Sequence, residues 1–159
     1  MTLPQNHWNM KISSKGINLI KKWEQGRKGG FASTSYICSG GKKTIGWGHV
    51  VLPEDNIIEP IDDKKAEELF DRDIEEVEAI INDQVKVKLT QGQFDSLCSI
   101  VFNIGEDNFK QSTLLKFVNK ELFDKVPTQF LRWVYSRKKL LTGLKNRRND
   151  EVKLWQNIS

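Results

Sequence analysis

The stretch WEQGRKGGFASTSYICSGGKKTIGWGH, residues 23–49, combines one carboxylate with a thiol, several hydroxyls and a run of glycines. No other acidic side chain follows Glu24 before Val50. Glycine, serine and threonine are interleaved with strand-forming residues, so the segment after Gly26 predicts a short, tightly turned sheet. The expected strand residues are Tyr36, Ile37, Thr44, Ile45 and Trp47.

The segment before the sheet has the pattern of an amphipathic helix. Ser13 or Ser14 can cap its start, and it is expected to end before Gly26. At about 100° per residue, its lysines fall on one side and its apolar residues on the other. Glu24 falls on the apolar side, at the negative end of the helix dipole, and both features predict a raised pKa. The apolar side holds Ile17, Leu19, Ile20 and Trp23.

Helices dominate the rest of the chain. Apolar residues at three- and four-residue spacing predict a long helix over residues 62–82. Thr90 and Gln93 form a capping box before a buried stripe that includes Cys98. Three further helical segments are STLLKFVNK, PTQFLRWVYS and GLKNRRNDEVKLW, the last with Leu144, Val152 and Trp155 directed inward.

The order of these elements predicts an α+β fold without internal repeats. We expect a single domain over residues 1–159, with a small N-terminal αβ lobe over 13–61 and a larger helical lobe over 83–159. The helix over 62–82 would join the lobes. A cleft between them is the expected place for a ligand.

Composition and charge restrict the class of protein only loosely. The formal net charge of +4 suits a polyanionic partner such as nucleic acid or a bacterial envelope. No apolar run approaches the ~18 residues of a membrane span, and the start, MTLPQNHWNMKISSKG, lacks the apolar core of a signal peptide. We therefore expect synthesis in a cytosol, without stable membrane insertion, and release by another component if the protein acts outside.

The two cysteines and two histidines lack the spacing of zinc ligands, so neither a metal nor a cofactor is predicted. Without a signal peptide, Cys38 and Cys98 are expected to be free thiols. Residue chemistry alone does not decide whether the role of Glu24 is catalytic or structural, because a glutamate on an apolar face is most often structural. A nucleophilic pair of Cys38 and His49 is conceivable but lacks an orienting partner, and the glycines match no phosphate-binding loop.

Four motifs occur in an order that is diagnostic of a family. They are Tyr36-x-Cys38 with Thr44-Ile45-Gly46-Trp47-Gly48-His49 after Glu24, then LTQGQFDSLCSIVFNIG (89–105), STLL (112–115) and GLKNRRNDEVKLW (143–155). Together they resemble the phage-type lysozymes, glycoside hydrolase family 24. The resemblance covers residues 13–156.

The resemblance implies a bilobal lysozyme fold and an endolysin that lyses a host by hydrolysing peptidoglycan. The bond is the β-1,4 link between N-acetylmuramic acid and N-acetylglucosamine. It also implies catalytic roles for Glu24, Cys38 and Thr44. Six positions separate Cys38 from Thr44, as in the family, but the fourteen between Glu24 and Cys38 exceed the usual spacing. We expect the extra residues in GRKGGFASTS, as a longer hairpin between helix and sheet.

The resemblance also implies supporting residues around the cleft. Arg147 could orient Glu24, or it could form a surface pair with Glu151 at i, i+4. Phe102 and Asn103 could line the cleft, with Phe102 under a sugar ring, and Phe102 could equally belong to the core.

Three further expectations concern residues away from the catalytic set. His49 is expected to lock the hairpin through a backbone hydrogen bond, and Cys98 is expected to lie in the core. A basic face would be solvated or would help adsorption to an anionic envelope. Its residues are Lys138, Lys139, Lys145, Arg148 and Lys153.

The chemistry suits a glycosidase with a single carboxylate. A glycosidic oxygen leaves readily only when protonated, so an acid with a raised pKa, here Glu24, is needed. Cys38 stands where a second carboxylate is usual. It could act as a thiolate with a pKa lowered by Lys42 and Lys43, accept a hydrogen bond from a water held by Thr44, or be a small structural residue. The water-holding arrangement favours inversion.

Two other functions stay open on the sequence. A lytic transglycosylase also works with one glutamate and forms 1,6-anhydro products. A basic module that binds cell wall or nucleic acid would have lost catalysis. For the muramidase we expect a monomer that needs no nucleic acid, is made in the host cytoplasm and reaches the periplasmic cell wall through a holin lesion.

Overall fold

The computed structural model describes residues 9–157, in which a small antiparallel sheet is followed by packed helices. The helices are α1 (Ser14–Trp23), α2 (Asp63–Gln84), α3 (Gln91–Ile104), α4 (Glu106–Lys110), α5 (Thr113–Asn119), α6 (Val126–Phe130) and α7 (Thr142–Trp155). The strands are β1 (Ala32–Ile37), β2 (Lys43–Gly46), β3 (His49–Val50), β4 (Tyr135–Ser136) and β5 (Lys139–Leu140). The predicted α+β class is confirmed. Within the described range, no helix has the length and apolarity needed to cross a bilayer.

Helix α1 delivers Glu24 at its C-terminal end. Ser13 is the N-cap residue, as predicted, but its side chain does not cap the helix. Its hydroxyl instead donates to the Asp95 carboxylate on α3, and its backbone N–H donates to the same group at 2.9 Å. The helix ends at Trp23, and the Glu24 N–H donates to the Ile20 carbonyl at 2.9 Å. The start of α1 is therefore anchored to α3.

The sheet follows through a short turn. The Gly26 N–H donates to the Gly30 carbonyl at 2.8 Å, and β1 begins two residues later. The extra residues therefore form a closed turn and the first half of β1. Tyr36 of β1 pairs with Thr44 of β2. Trp47 was predicted in a strand, but it lies in the turn between β2 and β3, whose flanking glycines both have positive φ.

The long helix α2 contributes to two apolar cores. It extends to Gln84, two residues beyond its predicted end, and the Asp62 carboxylate caps its start by accepting from the Lys65 N–H. Leu69 belongs to a small cluster with Ile45 of the sheet, whereas Phe70 belongs to the large cluster of the helices. Full burial of one such side chain contributes about 1.5–3 kcal/mol. This shared burial holds the sheet against the helices.

Helix α3 is the central helix of the large cluster. The predicted capping box is confirmed, because the Thr90 hydroxyl accepts from the Gln93 N–H while the Gln93 side chain accepts from the Thr90 N–H. Cys98 is fully buried within this cluster, as expected for a core thiol. The division into lobes over 13–61 and 83–159 within one domain stays a prediction.

The segment that starts near Pro127 differs from its prediction as a helix. Helix α6 ends at Phe130, and the chain then forms the two-stranded hairpin of β4 and β5. Arg137 and Lys138 form its two-residue turn, both with positive φ. This turn geometry matches the twist of paired strands, so the prediction of a continued helix was wrong.

Helix α7 also buries different residues from those expected. Trp155 is buried as predicted, but Leu144 and Val152 are only half-buried. The buried positions of the helix are Arg147, Arg148, Glu151 and Trp155. Three charged side chains therefore occupy the face of α7 that contacts α3, and their mutual pairing offsets part of their lost hydration.

His49 also differs from its prediction, because its side chain hydrogen-bonds to two carboxylates and not to the backbone. Its Nδ1 lies 2.8 Å from the Asp73 carboxylate on α2, and its Nε2 lies 2.8 Å from the Asp55 carboxylate. The side chain is 8% exposed. Burial alone would lower the pKa of His49, but the hydrogen bonds to Asp73 and Asp55 outweigh it and raise the pKa above 6.5. A protonated ring can donate to both carboxylates.

We predict that His49→Gln costs about 2 kcal/mol of stability at pH 6, and less at higher pH. A raised folded-state pKa gives stability that is fully present below the unfolded value of 6.5 and is lost as the pH rises through the folded value. Urea unfolding of both proteins between about pH 6 and pH 9 measures this difference. A difference that stays constant over this range would contradict the assignment of a charged His49.

Candidate active site

A cleft with a cavity volume of about 900 Å³ lies between the sheet and the helices. Helix α1 contributes its last residue and Glu24, β1 and β2 contribute one wall, and α3 and α7 contribute the other. The predicted site residues that line this cleft are Glu24, Cys38, Thr44, Phe102, Asn103 and Arg147. His49 does not line it, because its side chain is enclosed between Asp55 and Asp73.

Glu24 combines burial with a single strong partner. Its side chain is 17% exposed, and Arg147 Nη1 donates to Oε1 at 2.6 Å. Burial raises the pKa of Glu24, and the attraction and hydrogen bond of Arg147 oppose this shift without cancelling it. This upward shift of the Glu24 pKa agrees with the expectation from the sequence. The structure thus places a carboxyl group with a raised pKa at the cleft, the property that a general acid requires.

Gly48 leaves room for the Glu24 carboxyl group because it has no side chain. The residue has φ of +71°, and a methyl group added there would lie 2.8 Å from Glu24 Cδ and closer still to Oε2. A side chain at this position would therefore displace the carboxyl group. Since Oε1 accepts from Arg147, Oε2 is the oxygen that faces Gly48.

Arg147 contacts both Glu24 and Glu151, but the surface location expected for the pair with Glu151 was wrong. Besides Glu24, it contacts Glu151 through Nε at 3.3 Å, and its Nη2 donates to the Ser99 carbonyl at 3.0 Å. The Ser99 hydroxyl in turn donates to Glu151 at 2.5 Å. The pair with Glu151 is buried and not on the surface. Arg147 is therefore held on three sides and can fix the position of Glu24.

Arg148 was predicted on a basic outer face and is instead completely buried. Its Nε lies 2.9 Å from Glu151, and its Nη2 donates to the Asn103 side-chain oxygen at 2.6 Å. Burial lowers the pKa of Arg148 to about 10. The other members of that face, which are Lys138, Lys139, Lys145 and Lys153, are exposed. Arg148 thus orients the amide of Asn103, which lines the cleft.

Cys38 and Thr44 face the cleft from the hairpin of β1 and β2. Burial alone would raise the pKa of the Cys38 thiol, but hydrogen bonds from the Lys42 backbone amide, the Thr44 hydroxyl and the Gly40 backbone amide lower it. The predicted effect of the lysine ammonium groups is therefore replaced by backbone amides and Thr44. The Thr44 hydroxyl has a single proton, which it can donate either to the Cys38 sulfur or to the Lys42 carbonyl, whose oxygen lies 3.0 Å from Oγ1.

The aromatic residues of the cleft belong partly to the core. Phe102 is half-buried, with its ring centroid 5.8 Å from that of Phe70, so it both packs and lines the cleft. Trp23 lines the cleft as well, and its indole N–H donates to Asp150 at 3.0 Å.

Several residues of this site were not predicted from the sequence. Ser99 and Asp150 carry no local signal, because their partners are 48 and 127 positions away. Gly48 lies in the motif GWGH, in which two glycines flank a tryptophan, and this pattern was the available signal of a turn. Arg27 was also missed, although it is only three residues from Glu24.

A carboxyl group of raised pKa lies in a cleft between a small sheet and packed helices. This arrangement is typical of the lysozyme-like hydrolases of polysaccharide. Comparison with known proteins then gives the family. A model described as phage lysozyme matches residues 26–151. The chain belongs to the phage lysozyme family and is a peptidoglycan-degrading endolysin with muramidase activity. The match begins after Glu24, so it does not include this residue.

Proteins similar in sequence to this chain include the endolysins of two phages. An endolysin of Acyrthosiphon pisum secondary endosymbiont phage 1 is 39% identical over 151 residues, which is 92% of this chain and 99% of the relative. An endolysin of Bacillus phage B103 is 38% identical over 92% of this chain, but the chain spans only 54% of that relative.

Solved structures show the same architecture. The endolysin from Escherichia coli O157:H7 phage FAHEc1 has a TM-score of 0.80 at 30% identity, covering 96% of both chains. A point mutant of P22 lysozyme has a TM-score of 0.75 at 35% identity, covering 92% of this chain and 99% of that one. The lysozyme-like fold expected from the motifs is confirmed.

Proposed function

We propose that Glu24 is the general acid of this muramidase and that the reaction proceeds with inversion. The observation that carries the proposal is the environment of Glu24: a buried carboxyl group of raised pKa, held by Arg147 in a cleft that a glycan can enter. With Oε1 bound to Arg147, the acidic proton resides on Oε2. This proton passes to the glycosidic oxygen as the bond between that oxygen and the anomeric carbon breaks.

Cys38 and Thr44 hold the attacking water in this proposal. The water attacks the anomeric carbon from the face opposite the leaving oxygen, and its proton leaves toward the Cys38 sulfur. The lowered pKa of Cys38 increases the thiolate fraction, which supports a sulfur that accepts a hydrogen bond from the water. A single displacement of this kind inverts the configuration at the anomeric carbon.

The remaining predicted residues have positioning roles. Arg147 orients Glu24, while Phe102 offers an apolar surface to a sugar ring and Asn103 an amide group. The transglycosylase and the binding module are not favoured, because the relatives and solved structures are endolysins and lysozymes. A monomeric state and release through a holin lesion remain our predictions for this endolysin.

Product analysis tests the mechanism. Digestion of soluble glycan strands, followed immediately by proton NMR, is expected to show the α-anomer of the new reducing muramic acid before mutarotation. An initial β-anomer would exclude inversion, and 1,6-anhydro ends would exclude hydrolysis.

Variants of Cys38 separate its possible roles. We expect Cys38→Asp to remain active, because a carboxylate can accept the same water proton. Cys38→Ala is expected to lose about 10²-fold in kcat. Equal activity of the Ala variant and the wild type would reduce Cys38 to a structural residue, with Glu24 unaffected.

A further inference from the structure

The cleft contains positive charge that no described carboxylate neutralises. Its charged lining residues are Glu24, Arg27, Lys42 and Arg147. Arg147 is already paired with Glu24 and Glu151. Within residues 9–157, neither Arg27 nor Lys42 has a carboxylate partner at ion-pair distance. The catalytic mechanism uses neither side chain, so their charges are available to a ligand.

The Arg27 side chain is exposed, but two contacts restrict its position. Its guanidinium carbon lies 5.7 Å from the centroid of the Tyr36 ring, and Nη2 donates to the Ile37 carbonyl at 3.4 Å. This cation–π contact restricts the side chain and leaves other N–H groups of the fork free to donate. Tyr36 is paired with Thr44 in the sheet, so Arg27 lies along the same strands that carry the proposed water site.

The fork of an arginine fits a planar carboxylate better than a point charge does, since two N–H groups can donate in parallel. The two sugars of peptidoglycan differ in this respect. N-acetylmuramic acid carries a 3-O-lactyl group, whose carboxyl is free or linked to a peptide that has carboxylates of its own. N-acetylglucosamine carries neither a lactyl group nor a peptide.

We propose that Arg27 is a specificity-determining residue that binds a carboxylate on the side chain of N-acetylmuramic acid. This inference depends on the proposed location of catalysis at Glu24. Binding there sets the position of muramic acid in the cleft and favours cleavage at its anomeric carbon. Lys42, a flexible ammonium without a stacking partner among the described residues, adds attraction but no orientation.

The test uses soluble, uncrosslinked glycan strands in three forms. The first keeps its peptides, the second has been stripped of peptides by an amidase so that the lactyl carboxylates are free, and the third has its carboxyl groups converted to neutral amides. For Arg27→Gln we expect a KM about five- to tenfold higher on the anionic strand that supplies the carboxylate, with kcat unchanged. On the neutral strand, the variant and the wild type should coincide.

Matched variants make the result specific. Lys28→Gln removes the same charge from the neighbouring residue, which is exposed and does not line the cleft, and it should behave as wild type. Arg27→Lys should recover part of the lost affinity. A raised KM on stripped strands identifies the lactyl carboxylate, whereas a raised KM only on peptide-bearing strands identifies the peptide.

Three results would overturn the inference. They are an unchanged KM for Arg27→Gln on both anionic strands, an equal change for Lys28→Gln, and a change that persists on the neutral strand. Glu24→Gln, assayed in parallel, separates this inference from the proposed function. An inactive Glu24→Gln with a normal Arg27→Gln rejects only the role of Arg27, whereas an active Glu24→Gln rejects the catalytic site itself.

Discussion

Glu24→Gln is expected to lower kcat by about 10³-fold while leaving the protein folded. The glutamine keeps an oxygen that can accept from Arg147, but it has no proton to transfer to the glycosidic oxygen. Release of reducing ends from peptidoglycan measures the loss. Glu67→Gln is the matched control, because Glu67 pairs with Lys21 away from the cleft lining. Retention of more than a tenth of the activity would remove Glu24 from the role of acid.

The same variant is expected to unfold at a higher temperature than the wild type near neutral pH. The pKa of Glu24 is raised on folding, so its ionised form is less favourable in the folded than in the unfolded protein. The wild type therefore loses stability as the pH rises from the unfolded value of 4.5 through the raised folded value. A neutral glutamine avoids this loss. The two melting temperatures should converge below pH 4.5, and a lower melting temperature of the variant at neutral pH would contradict the burial effect.

Glu151→Gln is expected to destabilise the fold by about 3–5 kcal/mol. The Glu151 side chain is fully buried and contacts two buried guanidinium groups, Arg147 at 3.3 Å and Arg148 at 2.9 Å. Burial raises the pKa of Glu151 as it does that of Glu24. Glu151 is, however, the only carboxylate at ion-pair distance from Arg148 among residues 9–157, whereas Arg147 keeps one carboxylate in either variant. Loss of the Glu151 charge therefore leaves the buried Arg148 guanidinium without a charged partner. Urea unfolding at neutral pH measures the loss.

The control for this prediction is an exposed pair with similar helical spacing. Glu106 pairs with Lys110 at 2.8 Å on the surface, so Glu106→Gln should not change the urea midpoint measurably. A loss below about 1 kcal/mol for Glu151→Gln would show that the two arginines do not depend on this carboxylate.

The elements that were predictable depend on short-range spacing. The capping box of Thr90 and Gln93 and the apolar period of α2 are visible in the sequence because their residues are three or four positions apart. The position of Glu24 on the apolar side of α1 could be read in the same way, and so could the direction of its pKa shift. The pair of Cys38 and Thr44 came from the resemblance to the phage-type lysozymes, and the structure places both residues at the cleft.

The features that were missed depend on long-range packing. The hairpin of β4 and β5 interrupts a segment with helical composition. Its turn residues, Arg137 and Lys138, adopt positive φ. Because neither is a glycine, the sequence carried no signal of this turn. The two carboxylates around His49 come from different elements. In the case of Arg148, a basic residue in a helical segment predicts an exposed side chain unless its buried partners are known.

The sequence by itself determined the family, the α+β class, the order of the main helices and the candidate catalytic set. These features depend on local periodicity and on short motifs whose order along the chain matches that of the family. Only the tertiary structure decided which charges are buried and with which partners, and what lowers the pKa of Cys38. It also decided that Arg27 lies over the Tyr36 ring at the lining of the cleft. The physical reason is that the ionisation and orientation of a side chain depend on its full surroundings, which residues distant in sequence supply.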